Sequence, residues 1–256
     1  IDFKPDIING DVSNVIQSSG ADLPFANGQI LFDWVALDVP KGAVMLESAI
    51  AYLTGEDGST QAAGDIGLIF AKSINGEAPT SLGVVNANQT AGFDMPSHLI
   101  GCTKIEGSSS GEGQLAGPRF GNIIHGMYHD QNGGGGQHRV VLQGEPESGS
   151  SVGFDTIYVA GFTGGSFDFS TGVLADGAVT DDATTSITTK TVDPRKAFQV
   201  GDEVYLMDVD TPIGTIKSMT ATNITLNAPI AGGTDIADED EFMNATPVKI
   251  MLGFSR

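Results

Sequence analysis

The chain has 256 residues, with 32 Asp or Glu against 12 Lys or Arg, a formal charge of −20 and a hydrophobic content of 40%. That length suits one large β-domain or two smaller ones and can bury a core without staples. The charge repels phosphate backbones and anionic lipid, which argues against nucleic-acid and membrane partners; no apolar run approaches the ~20 residues of a membrane helix, and the opening IDFKPDIING lacks an apolar signal core.

The 35 Gly and 11 Pro are scattered, which fits neither collagen nor simple disorder. Residues 1–172 carry 19 acidic and 6 basic side chains and residues 173–256 carry 13 and 6, so the charge covers both halves and reads first as a solubility surface. Cys102 is the single cysteine, so no internal disulfide forms. Beside Ile100, Gly101 and Thr103 it reads as a buried structural thiol on a strand.

Residues 1–28 read as an N-terminal arm. Phe3, Ile7, Ile8 and Val12 are apolar, while Pro5, Gly10, Gly20 and Pro24 interrupt any long element. A polar linker would lack such side chains; an arm that docks on this protein or on a neighbour needs them. Phe3, Ile7, Ile8 and Val12 are therefore the candidate subunit contacts.

Residues 29–73 show the plan of the first domain. Three apolar runs, 30–37, 44–53 and 66–71, are separated by Pro-Lys-Gly and by a Gly- and Asp-rich loop. Ile66, Leu68 and Phe70 alternate with Gly67, Ile69 and Ala71, which is strand periodicity. The run 44–53 also reads as a strand, with Val44, Leu46, Ile50 and Tyr52 on one face. A turn at Asn75-Gly76 precedes a further short strand at 82–85. Residues 87–137 carry little periodicity and two Gly-rich pieces, 107–118 and 131–137, and read as a long excursion folding over a sheet or a neighbouring subunit. Residues 140–142 and 154–159 return to alternation and read as the arms of a long hairpin. Seven or eight strands over residues 29–172 predict an antiparallel, jelly-roll-like sandwich.

The texture changes at residues 161–172, GFTGGSFDFSTG. Beyond it, short strands at regular spacing predict a small five- or six-stranded β-barrel over residues 173–256, including the final PVKIMLGFSR, with the acidic DIADEDE at 235–241 as a solvated loop. The expected class is all-β throughout.

No chemistry-bearing motif stands out. The chain lacks a G-x-S-x-G elbow, H-E-x-x-H, a P-loop and a dinucleotide fingerprint, so it reads as a non-enzyme with no catalytic residue and no cofactor. His125, His129 and His138 would share a metal only on a helix, which Gly126 and its neighbours oppose. The carboxylates at 238–241, with Asp208 and Asp210, offer calcium oxygens without an EF-hand loop; a solvated charge run is the plainer reading, and no metal is assigned.

Residues 198–206 (FQVGDEVYL), 213–216 (IGTI) and 222–226 (TNITL) resemble a pattern common in tailed-bacteriophage virion proteins, where a Gly-Asp turn opens a strand of a small barrel. The first domain, at 42–53 and 65–73, is similar in texture to jelly-roll head-decoration proteins of such phages. The resemblance implies a capsid decoration or cement protein on the outer head surface. It would contact the major capsid protein and form homotrimers in which the 1–28 arm reaches a neighbour. An adhesin or carbohydrate-binding module is the rival, with Phe120, Tyr128 and Phe167 as its candidate aromatic platform. A tail or neck structural protein is the third expectation.

Overall fold

The computed structural model describes residues 1–8, 12–14, 23–40, 42–54, 57, 64–89, 95–105, 107, 115–117, 121–125, 140–145, 156–180, 184–207, 212–230 and 234–256. The protein is all-β. Its strands are β1 (Asp2–Phe3), β2 (Ile30–Asp38), β3 (Val44–Leu53), β4 (Asp65–Ala71), β5 (Leu99–Ile105), β6 (Leu115–Gly117), β7 (Gly121–His125), β8 (Val140–Leu142) and β9 (Thr156–Gly164). They continue with β10 (Val173–Ala175), β11 (Ser186–Thr191), β12 (Glu203–Leu206), β13 (Pro212–Thr220), β14 (Asn223–Leu226), β15 (Phe242–Asn244) and β16 (Val248–Ser255).

Two sheets form a sandwich. One has the order β2-β9-β4-β5; the other runs β1-β16-β3-β7-β6, with β8 also paired to β3. All pairs are antiparallel. Their facing side chains make the core. Ile66, Leu68 and Phe70 from β4 are fully buried, as the alternation requires, with Leu46 and Leu53 from β3 and Ile250 from β16 opposite.

The strand at 44–53 forms, but its residues do not share one face. Val44 and Leu46 are buried, then Ala49, Ala51 and Leu53, while Ile50 and Tyr52 lie on the other side. The register against β16 shifts between Gly253–Ser48 and Phe254–Leu46. Glu47 is thus an extra residue, a β-bulge that reverses the phase.

Three further expectations are corrected. Residues 82–85 form no strand; Gly83 (φ 125°) and Asn86 (φ 58°) curl the segment into a loop that buries Leu82 and Val85 beside β2. Residues 140–142 and 156–164 are not hairpin partners, because β8 joins β3 and β9 lies between β2 and β4. Within 87–137, β5 adds to one sheet and β6 and β7 to the other. Burial along β5 does not alternate and only Ile105 is fully covered, which is why its strand character is invisible in the sequence.

The second core begins at Val173 and belongs to a six-stranded sheet, β10-β11-β14-β13-β12-β15. Its ends meet through a bridge between Leu174 and Glu241, with the Ala175 N–H donating to Asp240 O at 2.8 Å, so the sheet closes as a small barrel. The acidic stretch 235–241 is therefore a seam and not merely a solvated loop: Ile236 is buried and bridges Val179.

The last strand is not part of that barrel. β16 returns to the sandwich between β1 and β3 and places Val248, Ile250 and Leu252 in the first core. Period-2 alternation identifies a strand; it does not say which sheet receives it.

Candidate assembly surface

The segment expected to reach a neighbour is tied down on its own chain. β1 pairs with β16, and the Ile7 N–H donates to Ala245 O at 2.8 Å. Ile7 and Ile8 are fully buried in the sandwich core, so neither offers surface to a second molecule; Phe3 is half-buried with its ring edge-on to Phe32. Ile7 and Ile8 thus belong to this chain's own core, Phe3 packs at its edge, and deleting residues 1–16 would remove all three. The side chain of Val12 lies outside the described set.

The same segment clasps the two cores. Asp202, 2% exposed, receives Lys4 Nζ on Oδ1, and on Oδ2 both the Gln199 N–H (2.8 Å) and Asn244 Nδ2 (2.9 Å). The Gly-Asp turn is thus shaped by its own carboxylate: Gly201 takes φ 93° while Asp202 caps Gln199. Tyr52, on the outer face of β3, bonds to Gln199; burial first, then the charge of Asp202, pushes its hydroxyl pKa upward.

Among the described residues no group of three potential metal ligands occurs. In the acidic seam, Asp238 Oδ1 accepts from the Gly177 N–H (2.9 Å) and from Lys190 Nζ (2.7 Å). Glu241 Oε1 accepts from the N–H groups of Thr171 (3.1 Å) and Gly172 (2.9 Å). The Lys190 hydrogen bond holds the Asp238 carboxyl below the usual carboxylate range. His125 lies at the end of β7, and its ring, with His129, His138, Asp208 and Asp210, falls outside the described set. Of the aromatic platform, Phe167 is fully buried against Phe169, which removes it; Phe120 and Tyr128 also lie outside the described residues.

What stands out is the outer face of the β2-β9-β4-β5 sheet. Register fixes its rows: Gly67 beside Phe162 and Lys104, Ile69 beside Ala160 and Cys102, and Ala71 beside Tyr158 and Leu99. Ala36 extends the third row. These positions oppose the buried Ile66, Leu68 and Phe70 and are apolar in the middle of the face, with Asp65 beside Gly164 and Asp38 beside Thr156 at its ends. Ala71 and Ala160 are fully buried, Ile69, Tyr158 and Phe162 are half-buried, and Ala36, Leu99 and Cys102 are exposed. An antiparallel sheet with a solvated outer face alternates apolar with polar residues, and this one does not. Cys102 accordingly sits on the surface, correcting its expected burial; it occupies a strand, but on the outward side. The signal was present in residues 66–71 and 157–162, which are apolar on both faces.

At the β5 end this face meets a depression of about 310 Å³ lined by Lys72, Ile100, Val141, Gln143 and Gly144. Gly101 lets β8 approach, since a Cβ there would fall 2.6 Å from Val140 Cγ1. Asn75 (φ 54°) and Gly76 (φ 80°) form a tight left-handed turn closed by reciprocal 3.0 Å bonds between Ile74 and Glu77. The Asn75 N–H donates to Glu145 Oε1, and Oε2 accepts from the Gly76 N–H at 2.8 Å and from Ser73 Oγ at 2.9 Å. The Gly76 N–H foremost, then Ser73 and Asn75, hold the Glu145 carboxyl below the usual range. The depression offers apolar walls and a fixed rim, with no nucleophile–base pair among its lining residues.

No helix among the described residues is long and apolar enough to cross a membrane. The chain matches no family model, no curated protein and no solved structure.

Proposed function

We propose that this chain is a structural virion protein that decorates the outside of a tailed-phage head and stiffens it by bridging neighbouring subunits. Its partners are the major capsid protein and further copies of itself. One observation carries the reading: in a molecule of charge −20, one sheet face holds its charges, Asp38, Asp65 and Lys104, at its ends and keeps apolar rows around Ile69, Ala71, Tyr158, Ala160 and Phe162 between them. Such a face is made to be covered by protein, because exposed apolar area is stabilised by roughly 25 cal/mol per Å² when buried.

The strand arrangement supports the jelly-roll form of the proposal. β2, β3 and β4 fall alternately on the two sheets, and β9 inserts between β2 and β4. That interleaving is what paired Greek keys produce. A decoration subunit needs no reactive site; it binds only the assembled lattice and stabilises it by mass action.

The test uses phage heads lacking the subunit. Purified chain is expected to bind them saturably and to raise the temperature at which they release DNA. Ala36→Asp, on the exposed outer face, is expected to abolish binding while leaving the circular-dichroism spectrum unchanged. Binding no greater than that of an unrelated acidic protein, or binding indifferent to Ala36→Asp, would overturn the proposal.

A further inference from the structure

We infer that Asn75-Gly76 is a self-modification site gated by Glu145: when the Glu145 carboxylate lets go of the turn, Asn75 converts to aspartate and isoaspartate through a succinimide. The inference concerns the isolated chain and does not rest on its place in a virion.

The chain has four Asn-Gly pairs, at 9–10, 27–28, 75–76 and 132–133. Asn27-Gly28 and Asn75-Gly76 lie among the described residues, and both pairs are exposed. Glycine makes such pairs reactive, because no side chain shields its backbone nitrogen from the asparagine amide before it. In the reaction Gly76 N loses its proton to solvent base and bonds to Asn75 Cγ. The Cγ–Nδ2 bond breaks, and the amide takes up a proton and leaves as ammonia. Water then opens the cyclic imide. Opening at Cγ gives aspartate; opening at the main-chain carbonyl leaves Gly76 attached through Cγ, which is isoaspartate. The sum is one water consumed and one ammonia released, with no redox partner.

The two pairs are held in different ways. Asn27 and Gly28 (φ 86°) form a turn closed by the Gln29 N–H on Ala26 O (3.3 Å), and the Gly28 N–H donates to the main-chain carbonyl of Thr163 at 2.7 Å. Around Asn75 the main-chain bonds join Ile74 and Glu77, outside the reacting peptide. The nucleophile itself is held by a side chain. The Gly76 N–H donates to Glu145 Oε2 at 2.8 Å, the Asn75 N–H donates to Oε1, and Ser73 Oγ steadies the same carboxylate at 2.9 Å. Glu145 lies 70 positions along the chain from Asn75, just after β8, so the gate is set by the tertiary fold and not by the turn's own sequence.

This arrangement opposes the chemistry twice. The negative carboxylate disfavours the amide anion that must form at Gly76 N. The reaction also needs the Asn75–Gly76 peptide to turn until its nitrogen faces Cγ, and one carboxylate gripping both flanking N–H groups resists that rotation. Conversion is one-way. Either product places a second carboxylate beside Glu145, and isoaspartate adds a backbone atom to the tight turn, so the latch is weakened once the site has reacted.

The full-length chain is held at mildly alkaline pH, folded or in urea, and both pairs are followed by peptide mapping with mass spectrometry. Asn75 is expected to convert at least about tenfold more slowly in the folded chain than in urea. Glu145→Gln keeps the side-chain shape and removes the charge. It is expected to speed conversion at Asn75 at least about threefold and to leave Asn27 unchanged, because Gly28 is held by a carbonyl. Asn27 is thus a control within the same molecule. Acceleration at both pairs would mean general loosening and would overturn the gate, as would a rate at Asn75 that Glu145→Gln leaves unchanged or slows. Equal rates at Asn75 with and without urea, or no conversion in either, would overturn the modification site itself. Asn75→Asp installs the product charge and is expected to raise amide exchange at Gly76 at least about tenfold; unchanged exchange would contradict the weakened latch.

Discussion

The sandwich and the barrel solve the same problem in opposite ways. In the barrel the strands follow nearly in sequence, the end strands are bridged, and outward residues such as Ser186, Thr188, Glu203 and Lys217 are polar and exposed. No long edge is left over. The sandwich draws strands from both ends of the chain, and its β2-β9-β4-β5 sheet, unclosed among the described residues, keeps a largely apolar outer face. Closure makes a self-sufficient unit; an open sheet with two apolar faces calls for a partner. Under the proposed function the contrast gives assembly to the sandwich and leaves the barrel as an appendage clasped to it through Asp202.

The largest effect should come from removing residues 248–256. β16 lies between β1 and β3, so its loss should abolish cooperative melting of the sandwich while amide protection persists in β11, β13 and β14. Hydrogen exchange reads both, and protection lost first in the barrel would reverse the comparison. Phe70→Ala, at a fully buried site, should cost about 3–5 kcal/mol in denaturant melts.

Asp202→Ala tests the clasp. It removes the acceptor of Lys4 and of the Gln199 N–H, leaves Asn244 Nδ2 only its bond to Ala197 O, and should cost about 3 kcal/mol, splitting one melting transition into two. Two unchanged, superimposed transitions would mean that the clasp couples nothing. Next comes a pair of glycines. A Cβ at Gly161 would lie 2.2 Å from Phe32 Cε1, so Gly161→Ala should cost about 1–3 kcal/mol by overpacking the sandwich. Gly177→Ala in the barrel meets open space and should cost only the left-handed strain at φ 92°, about 1 kcal/mol.

The smallest effect concerns pH. The Glu145 carboxyl is held low by its hydrogen bonds, so its contribution is fully present above the ordinary glutamate range and is lost as pH falls through the depressed value. The turn at 75–76 should therefore stay latched at neutral pH and loosen only in acid, while Glu145→Gln loosens it at all pH. Amide exchange at Asn75 and Gly76 checks both statements.

Much of this fold is legible in the sequence where packing is local. Ile66, Leu68 and Phe70 alternate because one face meets the core, and the short barrel strands are spaced by their turns. What escapes is long-range or irregular. Nothing in PVKIMLGFSR distinguishes a barrel strand from one that pairs with residues 45–53, some two hundred positions earlier. The bulge at Glu47 leaves no compositional mark. Ile7 and Ile8 show that something must cover them, without saying whether it is this chain or another. The assembly surface was readable as apolar residues on both faces of 66–71, yet the same pattern also describes a strand buried in a single protein.

The most direct measurement is electron microscopy of virus particles with labelled antibody against this chain. The virion proposal predicts label spread evenly over the head, absent from heads that lack the subunit. Label confined to the tail, or no label on any particle, would contradict it.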